Sequence, residues 1–133
     1  MAKPFIVTST FRVREGRLDA LKEYYQRAIS LFENEEPRLV GFYVFINEDE
    51  TEVTNIQVHP DAQSMESHMK VLRENWEETF SRYGDNVEGV SIECYGDTPQ
   101  SVLDLQVVGG PAYGFKPQYL GGFTRSSTTD NHA

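Results

Sequence analysis

Two segments with helical periodicity, set among four with strand alternation, predict an α+β fold of order β-α-β-β-α-β, the ferredoxin-like or split βαβ unit. A third observation concerns the second strand segment, "RLVGFYVFIN", which is apolar on both faces. A strand of that kind needs cover on both sides, and a single layer of helices supplies only one.

The first strand is "PFIVTSTFRVREG". Phe5, Val7, Ser9, Phe11 and Val13 fall on one face, and Ile6, Thr8, Thr10 and Arg12 on the other. Gly16 then opens a helix in which Leu18, Leu21, Tyr25, Ala28, Ile29 and Phe32 recur at helical spacing. It must stop by Glu36, because Pro37 disfavours helical geometry in the residue before it. The second strand follows, with Phe42, Val44 and Ile46 on one face and Tyr43 and Phe45 on the other. "EDET" supplies a charged hairpin and "EVTNIQVHP" the third strand. Asp61 is placed to cap a second helix with the stripe Ala62, Met65, Met69, Leu72, Trp76, Phe80 and Tyr83, which Gly84 would end. "NVEGVSIECYG" is the fourth strand, with Val90, Ile92 and Cys94 together.

Right-handed crossovers put both helices on the same sheet face. The other face then carries Tyr43, Phe45, Ile6 and Tyr95, an apolar patch of a kind that soluble monomers rarely leave bare. A second copy of the chain is the economical cover, so the sequence predicts a homodimer through the open sheet face, a dimeric α/β barrel. Thr8, Thr10, Arg12, Asn55, Gln57 and Glu93 are expected on that face, specifying register, with Arg12 and Glu93 a candidate ion pair.

The chain divides into 1–97, the ferredoxin-like domain; 98–125, a short helix and a Gly/Pro/aromatic arm; and 126–133, a polar, flexible tail. Thr98 is the expected cap of that short helix, with Pro99 in its first turn and Gly109 past its end. The arm is expected to pack by its rings without regular structure, either over its own sheet edge or on a partner.

A length of 133 residues fits one domain. The formal net charge of −9 argues against nucleic acid or an anionic membrane surface as partner. No apolar run approaches the ~20 residues that span a bilayer. "MAKPFIVTSTF" does not read as a signal peptide, so a cytoplasmic location is expected. Cys94 is the only cysteine, which rules out an intrachain disulfide and a thiolate metal cluster. His59, Asp61 and His68 do not make a metal site, since Asp61 and His68 lie seven residues or ~10 Å apart along a helix. "GGPAYG" and "LGGF" lack the strand-to-helix context of a phosphate loop, and no G-x-S-x-G nucleophile motif occurs. The runs "ENEE" and "NEDET" read as solvated turns.

"FRVREGRLDALKEYYQ", the second strand in "EEPRLVGFYVF", and a third strand followed by "DAQSMESHMK" resemble the antibiotic-biosynthesis-monooxygenase domain of the dimeric α/β-barrel superfamily. The resemblance covers Phe5 to Tyr95. It implies a ligand space between sheet and helices, a helix histidine (here His68), and either a cofactor-independent oxidation of an anthrone- or quinol-like aromatic or no reaction at all. Gln57 stands where the family usually carries a glutamate. The heme-degrading branch needs a second histidine further along the second helix, where this chain has Trp76, Thr79 and Phe80.

His68 lies roughly 70° from the centre of its helix stripe. At that boundary it is either a proton donor or acceptor facing a cavity, or a half-buried histidine bonded to backbone or water. Tyr25, Phe42 and Trp76, with Ser9 as the polar break in the first strand, would line the ligand space, and a filled core would use the same residues. Two functions follow. One is a cofactor-independent monooxygenase with His68 catalytic, Ser9, Tyr25, Phe42 and Trp76 binding a small aromatic, and no metal or cofactor. The other is a non-catalytic dimeric ligand-binding or structural module.

Overall fold

The computed structural model describes residues 3–125; the predicted tail at 126–133 lies outside the described residues. The order is β1 (Phe5–Val13), α1 (Leu18–Glu35), β2 (Gly41–Ile46), β3 (Glu52–His59), α2 (Ala62–Glu74), a π-helical turn (Trp76–Phe80), α3 (Tyr83–Asn86), β4 (Val87–Tyr95), α4 (Gln100–Leu103) and β5 (Ala112–Lys116). The predicted β-α-β-β-α-β core is present, extended by a fifth strand. Strands run in the order β2-β3-β1-β4-β5, antiparallel except for the β4–β5 pair.

Each stop has a local cause. α1 stops at Glu35, as Pro37 requires, leaving Glu36 non-helical with φ −125° and ψ 75°. Asp61 caps α2 by accepting from the Ser64 backbone N–H at 2.9 Å. The Asn75 side-chain amide donates to the Val71 carbonyl at 2.9 Å, and α2 ends there. The chain then widens into a π turn, in which the Ser81 N–H reaches back to the Trp76 carbonyl at 2.7 Å. That break overturns the expected unbroken stripe to Tyr83. Trp76 is 54% exposed while Phe80 is buried, and Gly84 lies inside α3 instead of ending a helix.

The core forms three clusters on the helix-covered face: Phe5, Val7, Met65, Met69, Cys94 and Val102; Leu21, Tyr25, Val53 and Val87; and Ala28, Phe32, Val71 and Phe80. The open face carries Tyr43 and Phe45, 52% and 62% exposed. Asn55 and Gln57 do not lie there. They share parity with buried Val53 and His59 and point under the helices, while Thr54, Ile56 and Val58 take the open face. Arg12 pairs with Glu88 at 3.7 Å and not with Glu93. The register sets Thr8 opposite Glu93, four residues before Arg12, and a bulge where β4 passes Thr10 and Phe11 moves Arg12 on from Gly89 to Glu88.

The C-terminal segment is more regular than the sequence suggested. Its helix is a single turn, with Pro99 at the N-terminal boundary instead of Thr98. Gly109, at φ +82°, serves a turn beyond the helix. Ala112–Lys116 then pairs in parallel with β4, from Ser91↔Ala112 to Tyr95↔Lys116, so this part of the arm covers its own sheet edge. No described helix is long and apolar enough to cross a membrane.

Candidate functional site

Between the sheet and the helices lies a cavity of about 460 Å³, within the range of small-molecule sites. All five residues singled out in the sequence line it. Ser9 and Tyr25 are buried, Phe42 is half-buried against Phe32, His68 is 2% exposed, and Trp76 stands at the mouth. His68 is therefore not at a half-wet boundary. The wheel placed it beside the apolar stripe, and the chain of α1 and the α1–β2 turn closes over it.

The His68 ring is held by Glu36. Its Nδ1 lies 2.8 and 3.1 Å from the two carboxylate oxygens, and both side chains are almost wholly buried. Nδ1–H donates to the carboxylate, which fixes the tautomer and leaves Nε2 on the cavity side. Phe32 packs on the ring at 4.6 Å between centroids. The "ENEE" run is thus divided: Glu33 and Glu35 are solvated, but Glu36 is turned inward by the Pro37 stop.

Behind this pair sits His59, at the end of β3 and fully buried, its ring 5.8 Å from that of His68. Its Nδ1 accepts from the Ser64 hydroxyl at 2.8 Å, and its Nε2–H donates to Gln57 Oε1 at 3.1 Å. Burial, and secondarily the neighbouring His68, push its pKa down to about 3 from an ordinary 6.5. His59 is accordingly a neutral strut that orients Gln57.

A second polar cluster lies further along β3. Tyr25 and Tyr83 hydroxyls meet at 2.5 Å, and the Asn55 amide donates to the Tyr25 oxygen at 3.1 Å. Asn55 Oδ1 is buried without a partner among the described residues. Burial raises the pKa of both phenols, and the hydrogen bonds from Tyr83 and Asn55 offset only part of that for Tyr25, so both stay protonated. The C-terminal segment completes the wall with Val102, Leu105 and Tyr113. No group of three or more His, Cys, Asp or Glu among the described residues could hold a metal ion. Burial also raises the Cys94 thiol, which sits in the core as an inert side chain.

Glu36, Asn55, Gln57 and Tyr83 were not foreseen as site residues. Parity offered one signal. On β3 the apolar set Ile56 and Val58 and the polar set Asn55 and Gln57 occupy opposite faces, and Val53 shares the polar parity. The polar set therefore points inward.

This architecture is that of the antibiotic-biosynthesis-monooxygenase-type proteins, the fold that the sequence resemblance implied. No family model matches the chain, and no curated protein matches it. Among solved structures, MupZ from Pseudomonas fluorescens superposes with a TM-score of 0.67 at 21% identity, over 94% of this chain and 97% of that one. A putative antibiotic biosynthesis monooxygenase from Bacteroides thetaiotaomicron gives 0.55 at 20% identity, over 73% and 90%. SnoaB, a cofactor-independent oxygenase from Streptomyces nogalater, gives 0.59 at 14% identity, over 74% and 96%. The similarity to MupZ leaves too few residues uncovered to omit the segment after Tyr95, so it takes in α4 and β5. These likenesses establish the fold.

Proposed function

We propose that the chain is a cofactor-independent monooxygenase acting on a small, electron-rich aromatic of anthrone or quinol type. The observation that carries this reading is an apolar cavity whose wall holds one oriented proton-transfer pair, His68–Glu36. His68 Nε2 removes a proton from the substrate, and the Glu36 carboxylate balances the imidazolium that forms. The substrate carbanion or phenolate supplies the electrons that reduce dioxygen, forming a carbon–oxygen bond. The peroxide takes its proton back from His68. For a methylene carbon, loss of water then leaves a carbonyl, so CH₂ and O₂ become C=O and H₂O. The apolar walls exclude bulk water from the anion.

The same reading places a second copy of the chain over the open sheet face. Exposed Tyr43 and Phe45, beside Ile56 and Val58 on that face, support it.

Oxygen uptake with a panel of anthrones and quinols tests the proposal. Wild type consumes oxygen with at least one of them, and His68→Ala slows uptake at least 100-fold, the scale of general acid–base catalysis. Equal uptake by the variant removes His68 from the mechanism. No uptake across the panel leaves the chain as a binding module.

A further inference from the structure

Gly41, Val58, Ile6, Tyr95 and Lys116 form one row across the sheet, each paired with the next. Gly41 opens β2 at one edge of the sheet, and Lys116 closes β5 at the other. The two strands run in opposite directions, so the chain leaves β5 at the same end of the sheet at which it enters β2. Beyond Lys116, residues 117–125 run on unsupported. Nothing among the described residues pairs with their backbone, and Leu120 and Phe123 stand almost wholly in solvent.

At the entry to β2 lies a second chamber, of about 310 Å³. Ile29, Leu39 and a half-exposed Val40 line it, and Phe32 and Phe42 face both this chamber and the main cavity. Its charged lining is Glu33 and the same Glu36 that holds His68. The pair thus bridges the wall, with His68 on the cavity side and Glu36 on the chamber side.

We propose that this chamber is the seat of the C-terminal arm of a second copy of the chain. The inference rests on the second copy placed over the open sheet face in the function proposed above, and it specifies how the two copies join. A two-fold axis across the strands sets β2 over β2 and leaves every edge bare. An axis along the strands sets the β5 of each copy beside the β2 of the other, antiparallel, with Lys116 level with the partner's Gly41. The arm then runs past residues 36–40 of the partner, at the mouth of the chamber, and its nine residues reach up to ~30 Å. On its own chain the chamber lies at the far edge, four strand spacings or ~19 Å away, and no arm residue lines it.

Charge agrees with this seating. Residues 116–125 contain Lys116 and Arg125 and no acid, in a chain of net charge −9. At the receiving end Glu33 and Glu35 are exposed and pair with no cation among the described residues. Leu120 or Phe123 seated in the chamber shuts water away from the back of Glu36. In drier surroundings the carboxylate attracts a protonated His68 more strongly. Each copy therefore finishes the other's site.

Cysteine cross-linking of the full-length chain tests the seating, since native Cys94 is buried. Val40→Cys and Leu120→Cys chains, both changed at exposed positions, are mixed, left to exchange subunits and oxidised. The mixture should yield at least tenfold more covalent dimer than either variant alone. The Val40→Cys thiol should also be alkylated by iodoacetamide at least tenfold more slowly in the whole chain than in one ending at Lys116. A sedimenting dimer whose mixture cross-links no better than the single variants overturns the seating and leaves the dimer standing. A bridge closed within one chain by the double variant also overturns it, as does equal alkylation with and without the arm. A monomeric wild type overturns seating and dimer together. A shortened chain that fails to fold leaves the cross-link to decide. Oxygen uptake bears only on the monooxygenase reading.

Discussion

Glu36 differs from Glu33 and Glu35 in one respect: the residue after it is proline. That neighbour stops α1 and rotates a carboxylate into the interior, where it meets His68. Glu36→Gln preserves the shape and an oxygen able to accept from Nδ1–H, but removes the charge that balances the imidazolium. It should fold and lose roughly 10- to 100-fold in kcat, the scale of losing an orienting partner, with little change in KM. Glu36→Leu leaves the buried His68 Nδ1–H without an acceptor and should cost about 1–3 kcal/mol, measured by urea unfolding. His59 gives a pH prediction. Its folded pKa of about 3 lies below the ordinary 6.5, so between those values the unfolded chain binds a proton that the folded chain refuses. Stability is unaffected above 6.5 and falls on acidification toward 3, by up to tenfold in the folding constant per pH unit. His59→Asn should be less stable than wild type at pH 8, and that deficit should shrink as pH drops below 6.5. A deficit constant with pH would show that His59 is not held neutral. His68 and Tyr25 were legible in the sequence because a helix wheel ranks residues by side. Glu36 was not, because its burial depends on a turn that only the assembled fold closes.

Among the elements, β3 shows best how a correct strand can be read with the wrong face inward. Alternation located Glu52–His59, and hydrophobicity alone would turn Ile56 and Val58 toward the helices. The structure turns Asn55, Gln57 and His59 there instead. Polar groups buried under helices must be bonded or must await a ligand, and an open face of Ile and Val must await a cover. The π turn had no pattern to betray it, since Met65, Met69, Leu72 and Trp76 keep helical spacing up to the break at Asn75. β5 escaped notice because it is a parallel edge strand of five residues, too short for alternation to stand out from "PAYGFK". A close approach holds its entry in place. A Cβ on Gly89 would lie 2.9–3.0 Å from three atoms of the Pro111 ring. Gly89→Val should therefore push Pro111 away and loosen β5, at about 1–3 kcal/mol. Hydrogen exchange should speed up at Gly114 and Lys116, whose N–H groups face β4, while β1 amides stay protected. Unchanged protection of β5 would show that the contact is not limiting.

For the whole molecule, the sheet separates two environments: a roofed interior with the cavity, and a bare face with Tyr43 and Phe45. Two-sided apolarity in "GFYVFI" was visible in the sequence, and it is what makes a second copy the expected cover. If that face is a dimer interface, Tyr43→Ser with Phe45→Glu should convert a sedimenting dimer to a monomer that keeps its helical circular dichroism. A wild type already monomeric at micromolar concentration would sink that assignment. The net charge of −9 fits a neutral aromatic ligand, which it does not repel, better than an anionic one. The interruption of α2 has a practical bearing on all of these tests. It leaves Trp76, the one tryptophan of the chain, half-bare at the cavity mouth instead of sealed in the core. An indole in that position changes its emission when a guest dries one of its faces. The protein thus carries an intrinsic optical reporter at the doorway of its own site, and occupancy can be followed in unlabelled protein by the colour of a single residue.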